Sequence, residues 1–438
     1  MKEQVSENKK QRLGWIGVIV AIFFPLSLLW SCTTYSFSKI PDAANTPYHT
    51  PSLFLPVSTI GIIEESIWDQ KAEEYPFVTI VDVNQNLQTI NLQTGEQTWY
   101  DLSKYSSNFG FLLSILRNAL PCGYLGLFED RGEHRILQFS PNKTEAVEIF
   151  RLIQNATNSR RWNPQISPDQ QYVIYVVFSG FLGYDWAEFQ NVELIHLDGI
   201  EKPVQLSSRG GTWKGGGRWS PDGSRIAFTD YDQDGFLQVF VTSLPELETQ
   251  QISHFMNPKL KPASLQWSPD GDKILVVFQN QQPIEESEVS HTEAWIFYPD
   301  DGKSQKLPLP STNLRIGDEI TWSKNGRVVL LIMTSRDENN QIVSSFHWFD
   351  IQKNWEVLQV TEKEIAEMVD GAWSGVSGFF PLMSDLSEIG LIGGSNQGLY
   401  RLEAKTKKIE PIRWVQFAEL LLISDVRVFK KEVPLCED

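Results

Sequence analysis

From about Phe54 onward the chain alternates short apolar runs with turn-forming clusters every roughly 8–12 residues, the rhythm of an all-β fold. The clearest runs are YVIYVVF from Tyr172, RIAF from Arg225, KILVVF from Lys273 and RVVLLI from Arg327. They are rich in β-branched and aromatic side chains, which pack well on a pleated surface. No long amphipathic helix is predicted. The best helical segment is Thr361–Met368 (TEKEIAEM), a turn or two between strands.

Each of those runs follows a variant of one turn. W-S-P-D-G occurs at Trp219–Gly223 and Trp267–Gly271, I-S-P-D-Q at Ile166–Gln170 and W-S-K-N-G at Trp322–Gly326. The turn serines stand at 167, 220, 268 and 323, spacings of 53, 48 and 55 residues. A turn-plus-strand unit recurring at this period marks a repeat architecture. The chemistry suits a tight turn: Pro presets φ, Asp bonds nearby backbone N–H groups, and Gly tolerates positive φ.

One repeat predicts a four-stranded meander. Trp219 ends a first strand, Arg225–Thr229 is a second, DYDQDG from Asp230 is a polar connection, Leu237–Thr242 is a third, and Glu248–Ser253 a fourth. Such a meander is a propeller blade. Val78–Trp99, Gly123–Phe150 and Pro381–Ile412 keep the rhythm without an intact motif. The expected count is seven blades, or six if the first segments merge. Gln416–Phe429 (QFAELLLISDVRVF) is apolar enough to supply a closing strand, which a ring needs to avoid unpaired edges.

W-S-P-D-G, the apolar strand after it, the D-x-D-G-like connection and the Q-V-F-V strand together resemble the PD-type, WD-like β-propeller repeat. That repeat occurs in TolB-like periplasmic propellers and in the N-terminal propellers of prolyl-oligopeptidase-type peptidases. The resemblance is close from Trp219 to Val241, good from Trp267 to Phe278, and partial at Ile166 and Trp322. It implies an all-β propeller and leaves function open, since propellers host many activities. The peptidase relatives add a hydrolase domain with a G-x-S-x-G turn. Here Gly375-Val376-Ser377-Gly378 lacks that spacing and no region remains to hold a triad.

Composition narrows the classes. The net charge of −17 argues against nucleic acid, because phosphate binding needs concentrated Lys and Arg. At the N-terminus, Lys2, Lys9, Lys10 and Arg12 precede eighteen uncharged residues, Leu13–Trp30. Two readings stay open: an uncleaved signal anchor with a basic cytoplasmic flank, or a lipoprotein signal in which Leu29-Trp30-Ser31-Cys32 precedes a lipidated Cys32. Trp30 departs from the usual lipobox. The organisation expected is a signal segment over 1–32, a polar linker over 33–52 and a propeller over 53–435. Either reading makes the protein membrane-anchored, facing the periplasm or the cell exterior. There Cys122 and Cys436 could pair or remain separate thiols.

Candidate chemistry is sparse. Six histidines show no metal-ligand spacing. Asp230, Asp232, Asp234 and Gly235 copy half of a calcium loop, but Val241 stands where a bidentate Glu belongs. They read as a plain turn or as a weak Ca2+ site. Arg209–Arg218 (RGGTWKGGGR) reads as a flexible connection or an anion cradle. In a propeller, fourth-to-first and second-to-third connections share one face. That face would gather residues 179–188, 209–218, 230–235, 279–292 and 335–341, and its contact candidates are Tyr184, Trp186, Arg209, Trp213, Lys214 and Arg218. Trp219, Trp267 and Trp322 are expected in the core. The sequence thus predicts a non-catalytic module binding an envelope or extracellular protein. Its alternatives are a propeller hydrolase or lyase with a central metal or polar site, and a carbohydrate or small-ligand receptor.

Overall fold

The computed structural model describes residues 68, 72–82, 85–105, 111–115, 122–130, 133–143, 145–152, 159–179, 190–197, 202–207, 216–257, 260–280, 291–310, 315–336, 342–369, 376–393, 398–413, 423–431 and 433–436. The N-terminal segment, Cys32 and the linker lie outside them. Among the described residues no helix is long and apolar enough to cross a membrane.

The apolar runs form seven four-stranded antiparallel sheets. Blade 1 takes β1 (Phe77–Asp82), β2 (Asn86–Asn91) and β3 (Gln97–Asp101). Blade 2 is β4 (Phe111–Ile115), β5 (Tyr124–Asp130), β6 (Glu133–Phe139) and β7 (Ala146–Leu152). Blade 3 is β8 (Ser159–Ile166), β9 (Tyr172–Ser179), β10 (Gln190–His196) and β11 (Val204–Gln205). Blade 4 is β12 (Arg218–Trp219), β13 (Arg225–Tyr231), β14 (Leu237–Ser243) and β15 (Glu248–Gln251). Blade 5 is β16 (Leu260–Trp267), β17 (Ile274–Asn280), β18 (Thr292–Tyr298) and β19 (Lys303–Lys306). Blade 6 is β20 (Arg315–Trp322), β21 (Val328–Arg336), β22 (Ile342–Asp350) and β23 (Trp355–Thr361), followed by α1 (Glu362–Met368). Blade 7 is β24 (Val376–Pro381), β25 (Glu388–Gly393), β26 (Gly398–Glu403) and β27 (Lys408–Arg413). The last strand, β28 (Ile423–Phe429), returns to pair with β1 from Phe77↔Phe429 to Asp82↔Ile423. It is the innermost strand of blade 1, so one blade is built from both ends of the chain. The count is seven blades rather than six.

The core lies between blades. Among the described residues there are seven apolar clusters, one at each junction of the ring. Val78, Ile80 and Ile90 of blade 1 meet Phe380, Leu382 and Ile392 of blade 7, which shows that the circle closes. The second strands thus bury both faces against neighbours, and their runs read as continuously apolar. Near the C-terminus Cys436 is disulfide-bonded to Cys122 beside blade 2, across 314 residues of sequence. The pairing left open by the sequence is therefore made. Gly123 N–H also donates to the Pro434 carbonyl (2.8 Å), and Cys436 N–H to Ser140 Oγ (3.0 Å).

The repeated turn holds both itself and its neighbour. Ser220 Oγ donates to Asp222 (2.6 Å) and accepts from Arg225 N–H (2.9 Å). Ser268, Ser167 and Ser323 accept in the same way from the backbone N–H of Lys273, Tyr172 and Val328. All four serines are buried, so each hydroxyl satisfies groups that water cannot reach. The turns also stack around one face: Gly223 sits against Pro168, Gly271 against Pro221 and Gly326 against Asp270. At Gly326, where φ is +65°, a methyl group would meet the Asp270 carboxylate at 2.5 Å.

Two of the motif tryptophans staple blades together. Trp219 Nε1 donates to the Gln165 carbonyl (3.1 Å) and Trp267 Nε1 to the Arg218 carbonyl (3.0 Å), each on the preceding blade. Arg225 stacks over the Trp267 ring (4.9 Å) and donates to the Gly271 carbonyl (2.7 Å). Trp267 and Trp322 are core residues as expected, whereas Trp219 is only half-buried. The short helix also forms. Thr361 caps it by accepting from Glu364 N–H, and the Glu364 carboxylate accepts from Thr361 N–H (2.7 Å).

Candidate functional site

The two faces of the ring differ in the reach of their connections. The turn face carries the first-to-second and third-to-fourth connections, and the longest of these is 116–123. The opposite face carries 180–189, 206–217, 281–291 and the helix-bearing 362–375. Chain length beyond what a turn requires is concentrated on that second face, and length there supplies contacts that strands cannot.

Of the sequence candidates, Tyr184, Trp186, Arg209, Trp213 and Lys214 lie outside the described residues. Arg218 opens β12 on the innermost strand of blade 4. Its guanidinium donates to the Gly217 carbonyl (3.2 Å), and the Gln165 amide oxygen, turned to face it, accepts from it as well. Because its own carbonyl receives Trp267 Nε1, Arg218 ties blades 3, 4 and 5 together beside the axis.

The carboxylates at 230, 232 and 234 are placed by a turn. Asp230 belongs to β13, is buried, and accepts from Tyr231 N–H (2.9 Å). Asp232 accepts from the N–H groups of Asp234 (3.0 Å) and Phe236 (2.9 Å) and from Gln238 Nε2 (2.9 Å). Burial raises its pKa, but hydrogen bonds from Phe236, Gln238, Asp234 and Gly235 outweigh burial and hold it below the ordinary value. The expected connection starts two residues late, since Asp230 and Tyr231 continue the strand. Among the described residues no group of three or more His, Cys, Asp or Glu is arranged to hold a metal ion.

Two polar clusters escaped sequence reasoning. In blade 5, Glu293 accepts from Lys306 Nζ (2.7 Å), Trp295 Nε1 (2.8 Å) and pairs with His291 Nε2 (3.1 Å), beside connection 281–291. Burial raises this carboxyl too, and the bonds from Lys306, Trp295 and His291 more than reverse it. In blade 6, Ser345 Oγ lies 2.6 Å from His347 Nε2, and His347 Nδ1 lies 2.6 Å from Glu356 Oε1. This is the ordering of a hydroxyl, an imidazole and an orienting carboxylate. Its setting is unlike a nucleophile turn: Ser345 and His347 sit within β22, 9% and 1% exposed, between blades 5 and 6. Ser345-x-His347 on one strand face was a visible signal. Glu356 was not, because it joins that face only through a register shift between Trp348 and Phe349.

No family model matches the chain, and no curated protein matches it. Among solved structures it is similar to TolB from Acinetobacter baumannii, at 12% identity over 76% of this chain and 79% of that one, with a TM-score of 0.35. An oligogalacturonate lyase from Vibrio parahaemolyticus aligns at 10% identity over 78% and 94%, TM-score 0.47. A puromycin-hydrolyzing peptidase from Mycobacterium tuberculosis aligns at 14% over 80% of this chain but 53% of its own, TM-score 0.45. At these scores the likenesses carry no argument about activity. The propeller stands on its seven sheets and seven inter-blade cores.

Proposed function

We propose that this propeller is a non-catalytic binding module, tethered outside the cytoplasm by its N-terminal segment, whose long-connection face engages an envelope or extracellular protein. The observation that carries the reading is the asymmetry of the two faces. Connections 180–189, 206–217 and 281–291 all emerge on one side, and they hold Tyr184, Trp186 and Trp213 in polar, glycine-rich surroundings. Aromatic anchors among adaptable polar groups are the composition that interfaces favour. Tethering is supported by the uncharged run Leu13–Trp30 behind a basic flank. An extracytoplasmic setting is supported by the Cys122–Cys436 disulfide, which an oxidising compartment maintains.

The line Ser345–His347–Glu356 favours one second reading, a hydrolase. Three facts weigh against it: the hydroxyl is nearly buried, the imidazole is fully buried, and the backbone around Ser345 pairs with β21 and β23. Site-specific photo-crosslinking in the native envelope tests the proposal. A crosslinker at 186 or 213 should yield one adduct of the same mass, and crosslinkers at the exposed Trp99 and Trp355 on outer strands should yield none. Equal adducts at all four positions would sink the reading.

A further inference from the structure

Among the described residues seven large apolar side chains are exposed. Trp99, Val147, Val204 and Trp355 stand on outermost strands, and Leu247 lies in a third-to-fourth connection on the turn face. The remaining two are methionines, Met256 and Met368. Both are carried by fourth-to-first connections, 252–259 between β15 and β16 and 362–375 between β23 and β24. Both therefore belong to the long-connection face. Met256 is 84% exposed, the most of the seven, and Met368 is 40% exposed. The other methionines among the described residues are placed differently. Met333 is fully buried on β21, and Met383 is half-buried at the turn of blade 7.

The backbone that presents Met256 is held on both sides. Gln238, a buried residue of β14, accepts from the Phe255 N–H (2.9 Å) and donates to the Phe255 carbonyl (2.7 Å) through one amide. The same amide accepts from Ser253 Oγ (2.8 Å) and donates to Asp232 (2.9 Å). On the other side the Asn257 carbonyl accepts from the Leu260 N–H (3.2 Å). The Phe255 ring packs inward against Phe278 and Trp295, with centroids 4.1 Å and 5.4 Å away. Phe255 thus joins the core of blade 5 while its neighbour Met256 stands in water. Exposure of this thioether is therefore fixed by the fold.

A methionine thioether in water takes up oxygen from two-electron oxidants such as peroxides. The sulfur lone pair attacks one peroxide oxygen, and an S–O bond forms as the O–O bond breaks. The displaced hydroxide takes the proton of the transferred oxygen and leaves as water. Sulfur is oxidised by two electrons and the peroxide is reduced by two. The sulfoxide is a polar hydrogen-bond acceptor where an adaptable apolar side chain stood. We infer that Met256 is an oxidation site through which peroxide-class oxidants lower the apolar character of the binding face without unfolding the ring. The effect on binding rests on the reading of the long-connection face as the binding face. The oxidation itself does not.

Hydrogen peroxide applied to the folded full chain, followed by peptide mass mapping, tests the site. Met256 should gain one oxygen at least ~10-fold faster than Met333, with Met368 between them. Denaturing urea should erase that order, because every thioether then stands equally in water. Chain oxidised at Met256 should keep its thermal midpoint within about 1 °C, as changes at exposed positions do. For binding, Met256→Gln puts a polar side chain where the sulfoxide would stand. It should lower the photo-crosslinked adduct from 186 and 213 at least ~3-fold, the loss expected for about one buried methylene. Val204→Gln on outer strand β11 should leave the adduct unchanged. Met256 reacting no faster than Met333, or an adduct unmoved by Met256→Gln, overturns the inference. No adduct from the unaltered chain defeats the reading of the face instead, and the peptide map then still decides the oxidation site.

Discussion

Replacing both Cys122 and Cys436 by serine removes the covalent clasp at the point where the ring closes. The disulfide spans 314 residues. In the loop-entropy account, linking ends that far apart restricts the unfolded chain by about 5–6 kcal/mol at 25 °C. That figure is a ceiling, because two constraints already hold the same region. Strand β28 pairs with β1 along its length, and the tail retains the Gly123 N–H bond to the Pro434 carbonyl and the Cys436 N–H bond to Ser140 Oγ when the sulfurs are gone. For a folded unit of roughly 370 residues the unfolding entropy near the midpoint is ~0.8 kcal/mol/K, so the ceiling corresponds to about 7 °C. Thermal unfolding of the double variant, and of the native chain with reductant, should both fall by about 3–7 °C. Native-state hydrogen exchange should show β28 and the tail losing protection before any other strand. A midpoint shift under ~1 °C with β28 fully protected would refute the view that the disulfide secures ring closure.

Further outcomes follow from the turns, the staples and two titrating groups. Ser268→Ala leaves the Lys273 N–H buried without its acceptor and should cost about 1–3 kcal/mol in urea unfolding, against about zero for the exposed Ser304→Ala. Arg225→Ala removes the Trp267 stack and the bond to Gly271, and should cost about 1–2 kcal/mol, almost none of it from the exposed Asp300 partner. Burial pushes the His134 pKa from 6.5 down to about 4. Stability held above pH 6.5 is therefore lost as pH falls toward 4, by up to ~3 kcal/mol, and His134→Leu should flatten that limb of the urea midpoint. Hydrogen bonds from Lys324 and Lys430 hold Glu73 at about 2, below its ordinary 4.5. Its contribution is present above pH 4.5 and disappears toward pH 2, where residues 73–75, which bond to Leu382 and Ser384, should gain exchange first.

The second strands were legible because they are covered on both faces and so read as apolar runs. The turn was legible because Ser, Asp and Gly each carry a distinct backbone duty there, visible at Ser220, Asp222 and Gly223. Arg218, a contact candidate in a glycine-rich connection, stands on an innermost strand joining three blades, a placement set by strand pairing rather than by local composition. Trp219 was expected in the core like Trp267, yet its strand has only two residues and packs it less fully. The Ser345–His347–Glu356 line and the Glu293 cluster depend on which residues of separate strands face one another. Cross-strand register, unlike periodicity, is set by bulges that leave no local mark in sequence.

Hydrogen exchange of the chain bound to its crosslinked partner tests the central claim most directly. Protection on binding should fall on 180–189, 208–217 and 281–291, with the turns at 167–171, 220–224 and 268–273 unchanged. Protection confined to those turns, or to the outer strands, would contradict the assignment of the binding face.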